Sequence, residues 1–123
     1  MSPMAARFED VGVPGHLAIT WFAGLLRDGF ALTAAEASDS FAHIASESLR
    51  VSLHELSLNR EDAEAVSYIM NGFAGLPLHG DVPDGISALT GLGIRLVTLC
   101  NGSTSVAEAL STEPASASTS SAC

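Results

Sequence analysis

Ile94-Arg95-Leu96-Val97-Thr98-Leu99 is the one stretch of this chain that reads as a buried strand. It is apolar and β-branched, with Gly91 and Gly93 before it and the turn Asn101-Gly102-Ser103 after it. No second run of this kind exists in the sequence to pair with it. A lone strand leaves two unpaired edges, and even an isolated strand pair is marginal in water. The expectation is therefore a sheet completed by other chains or, more simply, an incomplete piece of a larger fold.

Outward from the strand the texture is helical. Asp81-Val82-Pro83-Asp84 has the acid-plus-proline pattern of a helix start, with Ile86 and Leu89 three apart inside it. Ser103 or Thr104 can cap a short helix running to about Leu110. Residues 76–110 thus read as one helix–strand–helix remnant of an α/β core. Before them, residues 1–75 read as a helical region. Leu17, Trp21 and Leu25 form one apolar stripe and Ala18, Phe22 and Leu26 the next, on a helix predicted to stop at Gly29 with Arg27 in its last turn. A second helix is predicted after Ser38 or Asp39, burying Phe41, Ile44, Ala45, Leu49 and Leu53. A third is predicted with Asn59 as its cap, burying Ala63, Val66, Met70 and Phe73. After Leu110 no large apolar residue remains, so residues 111–123 are expected to be a disordered tail.

The balance of residues excludes several functions. A formal net charge of −9 argues against nucleic acid and against an anionic membrane as partners. All five basic residues are arginines (Arg7, Arg27, Arg50, Arg60, Arg95), so the chain has no lysine. Cys100 and Cys123 form no metal-binding pattern, nor do His16, His43, His54 and His79, and both cysteines read as free thiols. No metal or cofactor is expected. Neither a signal peptide nor a membrane span is legible, which gives a cytoplasmic expectation.

Three segments together resemble a known family. Trp21-Phe22-Ala23-Gly24-Leu25-Leu26-Arg27-Asp28-Gly29-Phe30-Ala31-Leu32-Thr33 resembles the cap-domain helix of type II haloacid dehalogenases, hydrolases of the haloacid dehalogenase superfamily. Leu76-Pro77-Leu78-His79-Gly80-Asp81-Val82-Pro83-Asp84-Gly85 is similar to the segment leading from that cap back to the core. Leu96-Val97-Thr98-Leu99-Cys100-Asn101-Gly102-Ser103 looks like the family's second motif. The likeness runs from about Met1 to about Leu110.

The resemblance implies an α/β Rossmann-like core with a helical cap, of which this chain carries mainly the cap and a single βα remnant. It implies hydrolysis of a small anionic substrate, a 2-haloacid or less readily a phosphate ester, through an ester on an aspartate nucleophile. That aspartate is expected before Met1, because Met1-Ser2-Pro3-Met4 resembles the stretch just after it. The motif lysine is expected beyond Leu110. Truncated at both ends in this way, the chain is expected to be inactive alone. By resemblance, Cys100, Asn101 and Gly102 line the substrate loop and Trp21 borders it, although Trp21 reads first as bundle core. No residue is assigned as catalytic.

Two departures weaken haloacid chemistry. Cys100 stands where the family has Ser or Thr, and a thiol is a poor hydrogen-bond donor. Phe22 stands where alignable haloacid dehalogenases place an arginine that would hold halide or carboxylate. The tail also has a candidate origin. A one-base shift in a GC-rich encoding of a family-like Leu-Asn-Arg-Ala-Gly-Val-Arg-Glu-His-Phe yields the sequence from Ser111 to Ser120. The readings of a different class are a helical interaction module, forming a homo-oligomer through its exposed strand edges, and a fragment of a phosphatase of the same superfamily.

Overall fold

The computed structural model describes residues 2–99 and 120–122. In order, its elements are α1 (Pro3–Asp10), α2 (Leu17–Ala34), α3 (Phe41–Leu53), α4 (Asp62–Ala74), α5 (Val82–Gly91), β1 (Val97–Leu99) and β2 (Ser120–Ala122). They divide into two compact units, Met1–Phe73 and Ala74–Cys123.

The first unit is helical and owns the core. Phe8 of α1, Trp21 and Leu25 of α2, Leu49 and Leu53 of α3, and Ile69 of α4 are all buried in one cluster. Four aromatic rings meet at its centre: Trp21 lies 5.8 Å from Phe8 and 5.5 Å from Phe73, and Phe73 stands edge-on to Phe41 at 6.2 Å. Helix α1 is an element that the sequence patterns above leave unassigned. Its signal is Ser2-Pro3, a cap position followed by a proline whose fixed φ suits the first helical turn, with Met4 and Phe8 on one face.

Polar contacts tie the ends of this unit together. The Asp10 carbonyl at the end of α1 accepts from Asn59 Nδ2 at 2.8 Å and from Arg60 Nη2 at 2.9 Å. Tyr68 of α4 donates its hydroxyl to Asp10 Oδ2 at 2.7 Å, while the guanidinium groups of Arg7 and Arg60 lie 4.5 Å and 4.7 Å from its ring centre. Donation to Asp10 stabilises the protonated phenol, so the Tyr68 pKa is raised.

Several expectations are corrected at this level. Helix α2 does not stop at Gly29 but runs to Ala34, followed by Glu36 at φ 56. A glycine costs a helix only about 1 kcal/mol, and Phe30-Ala31-Leu32 beyond it sustains the ladder. Arg27 is therefore mid-helix, paired with Asp28 at 2.9 Å. The cap of α3 is Ser40, whose Oγ accepts from the His43 N–H at 3.2 Å. Asn59 does not cap α4, which begins at Asp62; its side chain is spent on Asp10 and Arg60. The face α4 buries is Ala65, Val66 and Ile69 rather than one containing Ala63.

In the second unit, Pro83 sits in the first turn of α5, and Gly93 at φ 77 closes its end as the Ile94 N–H reaches back to the Leu89 carbonyl at 3.2 Å. The strand is shorter than predicted, Val97–Leu99 instead of residues 94–99. Among the described residues it has one partner: β2 runs parallel to it, Val97 opposite Ser120 and Leu99 opposite Ala122. Residues 120–122, expected to be disordered, are thus paired, and the strand is not wholly alone. Two strands of three residues do not make the α/β core that the resemblance implies, and the described chain is mainly helical. The helix predicted from Ser103 to Leu110 and the rest of the tail lie outside the described residues.

Candidate functional site

Of the residues expected around the substrate, only Trp21 is among those described; Cys100, Asn101 and Gly102 lie outside them. Trp21 is 2% exposed, and its indole N–H donates to the Ala45 carbonyl of α3 at 3.2 Å. The core reading of this residue therefore holds. The residue nevertheless borders two concavities, one shared with α3 and one with α1.

The first concavity, about 510 Å³, opens between α2 and α3 and is polar at its rim. His43 and Asp39 are hydrogen-bonded there across the first turn of α3. The contact holds the Asp39 carboxyl below its ordinary range, helped by the Ser40 N–H at 2.7 Å. It raises the His43 imidazole, first through the hydrogen bond and then through Asp39's charge. Both groups are exposed, and the neighbouring ion pair, Arg50 to Glu47 at 2.8 Å, is an ordinary one-turn surface contact. Asp39 and His43 flank the start of one helix, and the hydroxyl between them, Ser40, is engaged as that helix's cap.

The second concavity, about 620 Å³, is a groove between α1 and α2. Helix α1 contributes Met4, Ala5 and Glu9, and α2 contributes Ile19, Phe22 and Leu26, with Phe73 of α4 at its floor. The spacing of Ile19, Phe22 and Leu26 places them along one face of α2. That face is 76%, 41% and 40% exposed at these residues, an apolar stripe that nothing among the described residues covers. The loop from Val11 to His16 fixes the approach of the two helices. A Cβ on buried Gly15 would lie 2.8 Å from Glu9 Oε1 and 3.1 Å from the Ala5 carbonyl oxygen, so a larger residue there would have to displace the Glu9 side chain and press on the backbone of α1. Gly72 plays the same part for α4, where a Cβ would press on Arg7 and Met4.

This groove is the better candidate for a ligand. Its size is that of a small-molecule site, and its lining is apolar with few polar groups. Phe22 forms part of it. Sequence reasoning missed its α1 wall because α1 itself was not assigned. Among the described residues no group of three His, Cys, Asp or Glu side chains could hold a metal ion.

No family model matches the chain, and no curated protein matches it. Solved structures do. One dehalogenase crystal structure superposes with a TM-score of 0.76 at 18% identity, over 88% of this chain and 48% of that one. A dehalogenase with an intermediate complex superposes with a TM-score of 0.79 at 20% identity, over 98% of this chain and 55% of that one. The chain therefore shares the fold of part of these dehalogenases and spans about half of their length. No described helix is long and apolar enough to cross a membrane.

Proposed function

We propose that this chain is the cap-bearing part of a dehalogenase-like hydrolase and supplies substrate-enclosing surface rather than the reacting groups. The observation that carries the reading is the superposition of 98% of the chain on a dehalogenase with an intermediate complex. In that reaction class an aspartate carboxylate displaces halide from carbon, and water then cleaves the resulting ester. The chain has no lysine for the motif position, and no aspartate in it follows an apolar strand. Alone it is expected to release no halide from 2-chloropropanoate or from neutral organohalides above the buffer rate.

Sequencing the DNA on both sides of the reading frame tests the reading. A strand-plus-aspartate motif on one side and a lysine motif on the other, in any frame, would support it. Absence of both would overturn it, as would halide release by the chain alone. A second reading, a non-catalytic interaction module, is favoured by the bare apolar residues of the second unit: Leu92, Ile94 and Leu99 are 76%, 48% and 88% exposed. A discrete, concentration-dependent dimer in sedimentation would select that reading. Release of phosphate rather than halide by a completed enzyme would move the chain to the superfamily's phosphatases.

A further inference from the structure

We infer that the second unit is a docking surface for the half of the dehalogenase fold that this chain does not span, and that this partner adds a strand to β1; the inference rests on the dehalogenase-like reading above. Sheet physics is the first ground. Strand β1 has a parallel neighbour, β2, on one edge, and no described residue pairs with the other. Parallel sheets occur almost only with both faces covered, and two short strands are marginal in water. Val97 and Leu99, two apart and so on one face, are both exposed, Leu99 to 88%. Leu89, Leu92 and Ile94, which lead into the strand, are exposed as well, and α5 buries none of its residues. Ser120-Ser121-Ala122 of β2 brings no large side chain to cover them. The pair is the start of a parallel sheet rather than a finished one. The first unit differs, since it closes a core of its own from Phe8 to Ile69.

Length is the second ground, and it selects the occupant. The superposition that takes in 98% of this chain, and so nearly all of the second unit, takes in only 55% of the dehalogenase. The rest of that dehalogenase belongs to the same folded molecule, and it is the polypeptide available to continue a sheet begun by the equivalent of β1. A second copy of the present chain fits less well. Pairing one strand edge with itself across a two-fold axis runs antiparallel, whereas the pairing described here is parallel. An unpaired edge with an apolar face beside it is what an incoming strand requires: backbone groups to pair with and side chains to bury.

The test adds to the full chain, in trans, one polypeptide made of the residues of that dehalogenase which the superposition leaves out. Sedimentation velocity is expected to show a one-to-one heterocomplex, and amide hydrogen exchange in residues 97–99 is expected to slow at least tenfold within it. Leu99→Asp is expected to weaken association at least tenfold and to leave the melting temperature of the free chain unchanged. Val51→Asp, an equally exposed apolar position on α3 of the first unit, is expected to leave association as it was. Absence of a heterocomplex overturns the inference, as does a complex in which exchange at β1 is unchanged, or one that Val51→Asp disrupts and Leu99→Asp does not. Self-association that excludes the added polypeptide overturns it in favour of a second copy. A heterocomplex that releases no halide leaves the docking intact while the hydrolase reading fails. Halide release by the product of a repaired, continuous gene, with no docking in trans, leaves the hydrolase reading intact and removes the docking.

Discussion

His43 and Asp39 show how much a single contact can be asked to do. Asp39 raises the imidazole's affinity for its proton, so the pair's contribution to His43 is complete below the ordinary histidine range, near about 6.5, and is lost as pH rises through the higher folded value. For Asp39 the sign is reversed: its contribution is present above the ordinary aspartate value and is lost as pH falls through the lower folded one. The expected outcome is an imidazole titration, followed by proton NMR, with its midpoint above the ordinary histidine value. Asp39→Asn should bring it back. A midpoint unchanged by that substitution would mean that the contact is not formed in solution. Trp21 makes the opposite case, a residue whose worth is packing. Its ring is buried among Phe8, Phe73 and α3, so Trp21→Ala is expected to cost about 3–5 kcal/mol in urea unfolding followed by circular dichroism. The stripe of Leu17, Trp21 and Leu25 makes that burial legible in the sequence alone, because apolar residues four apart lie on one helical face. The groove was not legible. Its composition depends on α1, and the residues of the expected substrate loop, Cys100, Asn101 and Gly102, fall outside the described part of the chain.

Helix boundaries separate what sequence punctuation can and cannot decide. Pro83 marks a helix start because a fixed φ acts locally, whereas Ser38, Asp39 and Ser40 offer adjacent cap side chains and the cap is Ser40 rather than the expected Ser38 or Asp39. Ser40→Ala is accordingly expected to cost about 1 kcal/mol, measured as a lower urea midpoint with an unchanged slope. Gly29 was misleading for a related reason. Glycine permits a helix end without requiring one, and here the ladder continues for five residues beyond it. A Cβ at Gly29 would meet nothing within 4 Å. Gly29→Ala is therefore expected to stabilise the protein by roughly 0.5–1 kcal/mol, seen as a higher melting temperature; a lower one would show that α2 bends or breaks there. Gly15 gives the contrasting outcome, since its Cβ would run into Glu9 and the Ala5 carbonyl oxygen. On α4 the expected Val66, Met70 and Phe73 do face the core, and only Ala63 is misplaced, because a small residue such as Ala63 or Ala65 does little to fix the phase of a helix. Gly72 on this helix lies against the Arg7 and Met4 side chains of α1.

At the scale of the whole molecule the two units are unequal. Among the described residues, every member of the hydrophobic core, from Phe8 to Ile69, belongs to the first. Helix α5 of the second buries none of its residues. A chain ending at Phe73 is expected to melt cooperatively, with a midpoint within a few degrees of the full chain's by calorimetry. Loss of the transition would show that the second unit is needed for folding. The sequence signalled this imbalance through its one strand with no sheet, and the three family-like segments anticipated the fold that the dehalogenase superpositions show. The short parallel partner Ser120–Ala122 could not be anticipated, because serine and alanine carry no strand signal and the pairing is made by backbone alone.

The exposed residues Leu92, Ile94, Val97 and Leu99, a row uncovered among the described residues, also bear on how long the chain would last inside a cell. Chaperones and proteases survey proteins by engaging apolar segments that a finished fold hides, and abundance follows the fraction of molecules presenting them. A molecule that presents such a row in its native state is engaged without first unfolding. Its half-life would then be set by whatever occupies that row, and pulse-chase labelling should find it lengthened when Leu92 and Leu99 are changed to lysine.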